Sequence, residues 1–280
     1  MRLVYPTDHF WLRALALSAA AVATSVSCTS ATHSCQVKSD GSVACWGSNT
    51  YGESAPPTGT FTSVSVGAFH TCGLKTDGSA TCWGSNSSGQ ATAPSGSFAS
   101  ISAGDNHNCG VKMDGSVACW GLNTNGQASP PAGNNFASVS AGGSHTCAIK
   151  TNASAVCWGS NANGQAPAAP AGTFAPISAG ANHTCAVQSD SSIACCGLNS
   201  NGQASPPAGN NFVSVSARSG SNDTCAVKSN GTIACWGQNT YGQASPPSGS
   251  FDMVSAAQNH TCALSAGGIL RCWGYYWNAP

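Results

Sequence analysis

Charge is scarce in this sequence. Charged side chains make up 6% of its 280 residues, against roughly 25% in an ordinary soluble protein. Nine basic groups balance nine acidic ones, so no net positive field is available to hold a phosphate backbone. That argument excludes nucleic acid as a partner, and it excludes anionic membrane surfaces too. Glu53 is the one glutamate, and the aspartates follow a repeat, which leaves no unrepeated acid–base pair for proton transfer. No serine lies in a Gly-x-Ser-x-Gly elbow, the strained turn that presents a hydrolase nucleophile. Cys-x-x-Cys spacings, the usual mark of a zinc site, are absent as well. The expectation is a chain with no catalytic centre, no metal and no cofactor.

Helix signals are also missing. No stretch after residue 30 has apolar residues at helical spacing, while 33 glycines and 14 prolines favour strands and tight turns. The start of the chain is the exception. Arg2 and Arg13 flank the start, Leu12 to Val22 form a short apolar run, and Ala21-Val22-Ala23 fits a small-x-small cleavage site. The run is shorter than the ~20 residues a bilayer-spanning helix needs. Residues 1–23 therefore read as a signal peptide and 24–280 as the mature domain, secreted or at the cell surface. An alternative makes Cys28 a lipid-modified N-terminus, although Ser25 stands where that signal usually has Leu.

What the mature chain does contain is a repeat. The string His-Thr-Cys-Ala-Val-Lys-x-Asp-Gly-x-x-x-Cys-Trp-Gly opens at His33, His70, His107, His145, His183, Asp223 and His260, at spacings of 37, 37, 38, 38, 40 and 37. Each copy has the length of one propeller blade of four strands. The cysteines keep stricter time: Cys35/Cys45, Cys72/Cys82, Cys109/Cys119, Cys147/Cys157, Cys185/Cys195, Cys225/Cys235 and Cys262/Cys272 are each ten apart. Between them lies a turn such as Ser39-Asp40-Gly41, a three-residue hairpin loop that needs positive φ at its third position. Ala153 and Ser191 stand at that position in two copies, so those turns should be strained. Counting outward from the closing pair Lys38/Ser42 makes Cys35/Cys45 a non-hydrogen-bonded pair. Such pairs bring Cα atoms to about 4.5 Å, within disulfide reach. Seven intrablade disulfides follow, and they suit an oxidising compartment.

After each Cys-Trp-Gly comes Asn-x-x-Gly-Gln, a proline-rich loop, an aromatic anchor (Phe61, Phe98, Phe136, Phe174, Phe212, Phe251) and a strand of small residues such as Val139-Ser140-Ala141-Gly142. The small strand is expected nearest the propeller axis, where large side chains do not fit. The last copy ends soon after Gly274, whereas Thr24-Ser25-Val26-Ser27 precedes the first histidine. The expected fold is all-β: a seven-bladed β-propeller of four-stranded antiparallel blades, closed when the N-terminal strand fills the last blade.

These residues resemble the cysteine-containing bacterial branch of the regulator of chromosome condensation repeats, over residues 24 to 275. The resemblance implies the seven-bladed propeller and a wide range of functions. The nuclear member is a nucleotide exchange factor that contacts chromatin, a role at odds with export and zero net charge. Secreted members include protein inhibitors of β-lactamase, and the ectodomains of crinkly-type receptor kinases are similar too.

Positions that break the repeat are the candidate binding residues. Tyr51 and Tyr241 stand where other copies have Ser88, Asn125, Asn163 and Asn201; Tyr275, Tyr276 and Trp277 replace the usual loop in the last copy; Arg218 sits in an insertion before Asp223. Loop aromatics are enriched at binding hot spots. An alternative has the last cluster pack over the closing seam. The repeated histidines are expected to cap loops by bonding backbone, the five lysines to form a solvated rim, and the tryptophans to pack between blades. In the fifth copy Cys196 replaces that tryptophan, which should leave a gap. The composite expectation is a monomeric, non-enzymatic extracellular module that binds one protein, as recognition module or inhibitor. The alternatives are a carbohydrate-binding or structural envelope protein and a propeller lyase or glycan hydrolase.

Overall fold

The computed structural model describes residues 25–28, 33–167, 172–265 and 267–275. The expected leader (residues 1–23), the side chain of Cys28, Tyr276 and Trp277 lie outside them. Regular structure among the described residues is all strand, in seven three-stranded antiparallel sheets of consecutive strands. Their middle strands are His33–Val37, His70–Lys75, His107–Lys112, His145–Lys150, His183–Gln188, Asp223–Lys228 and His260–Leu264. Each sheet packs against the next in chain order, an arrangement that fits a β-propeller. No helix among the described residues is long and apolar enough to cross a membrane.

The hairpins form as their turn chemistry requires. Lys38 N–H donates to the Ser42 carbonyl at 2.8 Å, and Gly41 N–H to Lys38 at 2.9 Å, with Gly41 at φ +79°. The Asp40 carboxylate accepts the Ser42 hydroxyl and amide at 2.6 and 2.8 Å. Those bonds, the hydroxyl's first, hold its carboxyl below the usual range. Ala153 and Ser191 are forced to φ 65°, where a Cβ crowds the following carbonyl.

With this register Cys35 faces Cys45 at a Cα separation of 4.1 Å and is bonded to it. The same bridge joins Cys72 to Cys82, Cys109 to Cys119, Cys147 to Cys157, Cys185 to Cys195, Cys225 to Cys235 and Cys262 to Cys272. The two halves of a bridge are not equivalent, a difference that the ten-residue spacing did not reveal. The middle-strand cysteines are fully buried. Their partners Cys45, Cys82, Cys119, Cys195, Cys235 and Cys272 are only half-buried, because they stand on the outer strand at the rim of each sheet, and Cys157 alone among the outer cysteines is buried. These seven pairs therefore hold the hairpins together.

Two features differ from expectation. Each sheet has three strands where four were expected. The Asn-x-x-Gly-Gln segment bonds locally: Asn123 Oδ1 accepts the amide of Ala128, and Gln127 Oε1 that of Asn125, both at 2.8 Å. Such side-chain bonds occupy the amides that a ladder would use. Closure differs as well. The N-terminal strand Ser25–Cys28 pairs with His33–Val37 in its own sheet, and the last sheet has its own first strand, Met253–Ala256. The small-residue strand precedes the histidine in every copy, so the seventh lacks nothing. The N-terminal strand instead stands against the last sheet across the seam.

The sheets are joined by side chains. Ser65, Ser102, Ser140, Ser178 and Ser216 each accept, through Oγ, an amide at or just past the end of the next sheet's first strand at 2.9–3.0 Å, which places these small-residue strands in close contact. The histidines form a second set. They bond the side chain of the neighbouring sheet, where a loop backbone had been expected. His33 Nε2 meets Thr71 Oγ1 at 2.8 Å, His70 meets Asn108 Oδ1 at 2.8 Å, His107 meets Thr146 at 2.9 Å, and His145 and His183 meet Thr184 and Thr224 at 2.8 Å. His260 Nε2 lies 3.2 Å from Ser34 Oγ, which ties the last sheet to the first and closes the circuit. The imidazoles pack on glycines: a Cβ on Gly104 would lie 2.6 Å from His107 Cε1.

Proton accounting fixes the direction of this circuit. Thr71, Thr146, Thr184 and Thr224 each donate their one hydroxyl proton to the main-chain carbonyl of Glu53, Gln127, Gln165 or Gln203. They can only accept from histidine, so His33, His107, His145 and His183 carry the proton on Nε2. Asn108 uses its amide on the Gln90 carbonyl, which gives His70 the same tautomer. Asp223 replaces histidine in the sixth sheet, facing Thr261, whose proton goes to Gln243. Asp223 is itself buried, with the Ser221 hydroxyl 3.0 Å from its Oδ1. Burial, outweighing the pulls of Ser221, its own backbone and Thr261, raises it to about 8.

Two expectations follow. Burial lowers His33, His70, His145, His183 and His260 to about 4 and His107 to about 3, whereas an unfolded histidine titrates near ~6.5. Their contribution is complete above that value and is lost as pH falls toward the folded one. Asp223 has the opposite sign, its stabilisation complete below ~4 and lost as pH rises toward 8. Six histidines outnumber the two carboxyls that burial raises, Asp223 and Asp105, so the unfolding free energy from urea denaturation should fall steeply from pH 6.5 to 4, by several kcal/mol; a urea midpoint unchanged to pH 4 would contradict the buried circuit. Separately, Ala153→Gly and Ser191→Gly should each raise stability by about 1 kcal/mol, read by equilibrium unfolding.

Candidate functional site

Each sheet has two ends. The Lys-x-Asp-Gly hairpins lie at one, where each hairpin carbonyl caps the next sheet, as when Gly41 accepts Phe61 N–H at 2.8 Å. Lys228 rests 5.6 Å from the centre of the Phe212 ring, so this end carries small alternating charges on a bonded frame. The other end holds the long connections between sheets and the short loops that precede the histidines. Most of the exposed aromatic surface is there.

The long connections are stiff. In the first, Glu53 stands where other copies have glutamine; its side chain is buried and its carboxylate accepts the Ser48 hydroxyl and the Tyr51 amide, both at 2.7 Å. Burial pushes its carboxyl up, but the bonds from its own backbone, Ser48 and Tyr51, with the nearby His33, hold it below the usual range. Asn49 Oδ1 accepts the Ser54 amide at 2.9 Å. Tyr51 thus projects from a braced turn, 56% exposed, and meets Phe69 edge-on at 5.5 Å. The sixth connection repeats this: Tyr241 N–H donates to Gln243 Oε1 at 2.9 Å, and the exposed Tyr241 ring meets Tyr275 at 5.4 Å.

These pairs are one-sided. Tyr51–Phe69 bridges the first and second sheets, and Tyr241–Tyr275 the sixth and seventh. Because the seventh adjoins the first through His260 and Ser34, both pairs belong to one arc of four neighbouring sheets. Ser88, Asn125, Asn163 and Asn201 occupy the tyrosine position on the other connections. The structure thus unites Tyr241 with Tyr275, and gives Tyr51 a partner that sequence reading missed. Phe69 also breaks the repeat, standing where Asn106, Ser144, Asn182 and Asn259 precede their histidines, and that break was the available signal.

Arg218 belongs to neither aromatic pair. It is half-buried in the inserted loop of the sixth sheet, and its carbonyl accepts Ser221 N–H at 3.0 Å. Ser221 Oγ in turn accepts the Asp223 amide at 3.1 Å and lies 3.0 Å from its carboxylate. The same insertion brings Ser219 toward Asp105 of the third sheet's loop; burial raises Asp105 to about 6, against the lowering pull of Ser219. The insertion is thus engaged with the inner loops, and the exposed rings lie on the arc.

Residues 23–53, 61–90, 98–127, 136–165, 177–203 and 212–243 match the regulator of chromosome condensation (RCC1) repeat. No curated protein matches the chain in sequence. Among solved structures, it is similar to the ectodomain of the Physcomitrella patens receptor kinase CR4, with 25% identity, a TM-score of 0.74, and coverage of 89% of this chain and 72% of that one. The CRINKLY WD40 ectodomain of the Arabidopsis thaliana receptor kinase ACR4 is similar at 26% identity and a TM-score of 0.71, covering 89% and 93%. Human WBSCR16 shares the fold at 14% identity and a TM-score of 0.75, covering 90% and 89%. The repeats recur over more than half of the sequence, and the chain belongs to the regulator of chromosome condensation repeat family.

Proposed function

We propose that this protein is an extracellular, non-enzymatic binding module, a seven-bladed ring that engages one protein partner through the aromatic arc. Tyr51 and Tyr241 are its anchors, with Phe69 and Tyr275 beside them and Tyr276 and Trp277 following in sequence. The observation that carries this reading is the one-sidedness of the exposed rings on braced turns. Rigid aromatic side chains bury much area at little entropic cost, and such residues dominate protein interfaces. A single arc fits one partner per ring. Seven disulfides support an exported protein working in an oxidising setting. The receptor ectodomains at 25–26% identity support recognition as the role, and inhibition of a partner enzyme is the same binding put to another use.

The glycan reading has less support from the repeats. Gln90, Gln127, Gln165, Gln203 and Gln243 are buried, and the loop asparagines spend their oxygens on backbone amides. Neither group is offered to a sugar seven times over.

Immobilised residues 24–280, exposed to the host's secreted and surface fractions, should retain one protein at one per chain. Tyr51→Ala with Tyr241→Ala should weaken that complex by at least about tenfold, or ~1.4 kcal/mol, with the unfolding midpoint unchanged. Equal affinity in the double variant would overturn the arc. Retention on envelope polysaccharide with no protein recovered would favour the glycan role.

A further inference from the structure

The fifth sheet lacks a part that its neighbours have. In five sheets an outer-strand tryptophan donates its indole N–H to a main-chain carbonyl of the preceding connection: Trp83 to Glu53, Trp120 to Gln90, Trp158 to Gln127, Trp236 to Gln203 and Trp273 to Gln243, at 2.8–3.1 Å. Each of those carbonyls also accepts the threonine or asparagine of the circuit, so both of its lone pairs are used. In the fifth sheet Cys196 stands opposite Thr184, at the tryptophan's place. The Gln165 carbonyl keeps its Thr184 bond at 2.8 Å, but its second neighbour is only the Cys196 thiol at 3.8 Å, a weak donor.

The space left by the indole is a cavity of about 120 Å³ between the fourth and fifth sheets, lined mainly by apolar atoms of Ala155, Pro167, Phe174, Ile177, Ala186 and Cys196. Phe174 is the counterpart of Phe61 and Phe98, which face Trp83 and Trp120 at 6.1 and 5.9 Å. The half-exposed Cys196 opens the cavity to solvent, so a ring need not be wholly enclosed. Apolar cavities of roughly this size, about 150 Å³, stay dry and take up benzene.

We propose that this cleft binds a small planar aromatic molecule with one N–H donor, of the indole class, seated beside Phe174 and donating to the Gln165 carbonyl. The five occupied sheets specify the ligand: each shows an indole in the corresponding place, held by the same contacts. The site is separate from the aromatic arc and stands or falls independently of it. It confers an affinity for free indole-class rings that the five sheets already filled by tryptophan do not have.

The test uses the full chain and free indole. One indole should bind per chain, with a raised unfolding temperature. Because burial pushes the Cys196 thiol up, alkylation by iodoacetamide is followed at alkaline pH and located by peptide mass spectrometry. At ten times Kd, indole should slow alkylation of Cys196 about tenfold. 1-Methylindole, which has no N–H, should bind at least severalfold more weakly. Cys196→Trp should restore the missing ring and abolish indole binding; Ala186→Leu fills the cavity by a second route and should do the same if the first variant fails to fold. Absence of indole binding up to its solubility limit, equal binding of 1-methylindole, or undiminished binding in the filled variants would overturn the proposal.

Discussion

A proton on the Nε2 atom of a buried imidazole, given to the hydroxyl or amide oxygen of the next sheet, is the contact on which this ring depends. A single sheet of three short strands is too small to bury a sufficient core of its own. Its stability comes from the neighbour on either side, and the joint must be specific as well as apolar. The imidazole supplies both, since it is large enough to fill the space over the glycine of the inner loop and has one donor aimed across the gap. The threonine that accepts it passes its own proton to a carbonyl of the connecting loop, and in five sheets a tryptophan indole fills that carbonyl's second site. Sheet, joint and loop are thus bonded as one unit, and the loop is braced where the tyrosines of the arc emerge.

This arrangement explains how the chain does with so little charge. Ionic contacts would tie sheets together only at the cost of desolvating both partners, and with 6% charged residues few are available. Neutral donors and acceptors take their place. The sixth sheet departs from the rule: a buried aspartate occupies the histidine position, and burial raises its carboxyl to about 8. Disulfides fix each hairpin internally, the serines tie the first strands together, and the circuit fixes each sheet to the next.

Much of this was legible in the sequence, and the parts that were not share a cause. The ten-residue cysteine spacing and the hairpin loop determine a register on their own, so the disulfides and the strained Ala153 and Ser191 could be derived from local geometry. Spacing says nothing of depth, however, and the half-exposed position of outer cysteines such as Cys82, Cys119, Cys235 and Cys272 depends on how the sheets stack. The missing tryptophan at Cys196 was visible as a break in period. The partners of the histidines were not, because His33 and Thr71 lie 38 positions apart and nothing local connects them. The fourth strand failed for a similar reason. Asn123 and Gln127 looked like polar loop residues, but their side chains consume the amides of their own turn. Closure was misread because the boundary of one repeat was drawn at the histidine, whereas the folded unit begins with the small strand before it. In the candidate site Tyr51, Tyr241 and Tyr275 were found as departures from the repeat, and Phe69 was overlooked although it departs from it in the same way.

The most direct test of the circuit is long-range proton–nitrogen correlation NMR of the imidazoles, recorded at pH 7 and again at pH 5. The account expects His33, His70, His107, His145 and His183 to show neutral rings protonated at Nε2 and to remain so at pH 5. Rings protonated at Nδ1, or midpoints near the ordinary ~6.5, would show that the imidazoles do not join the sheets.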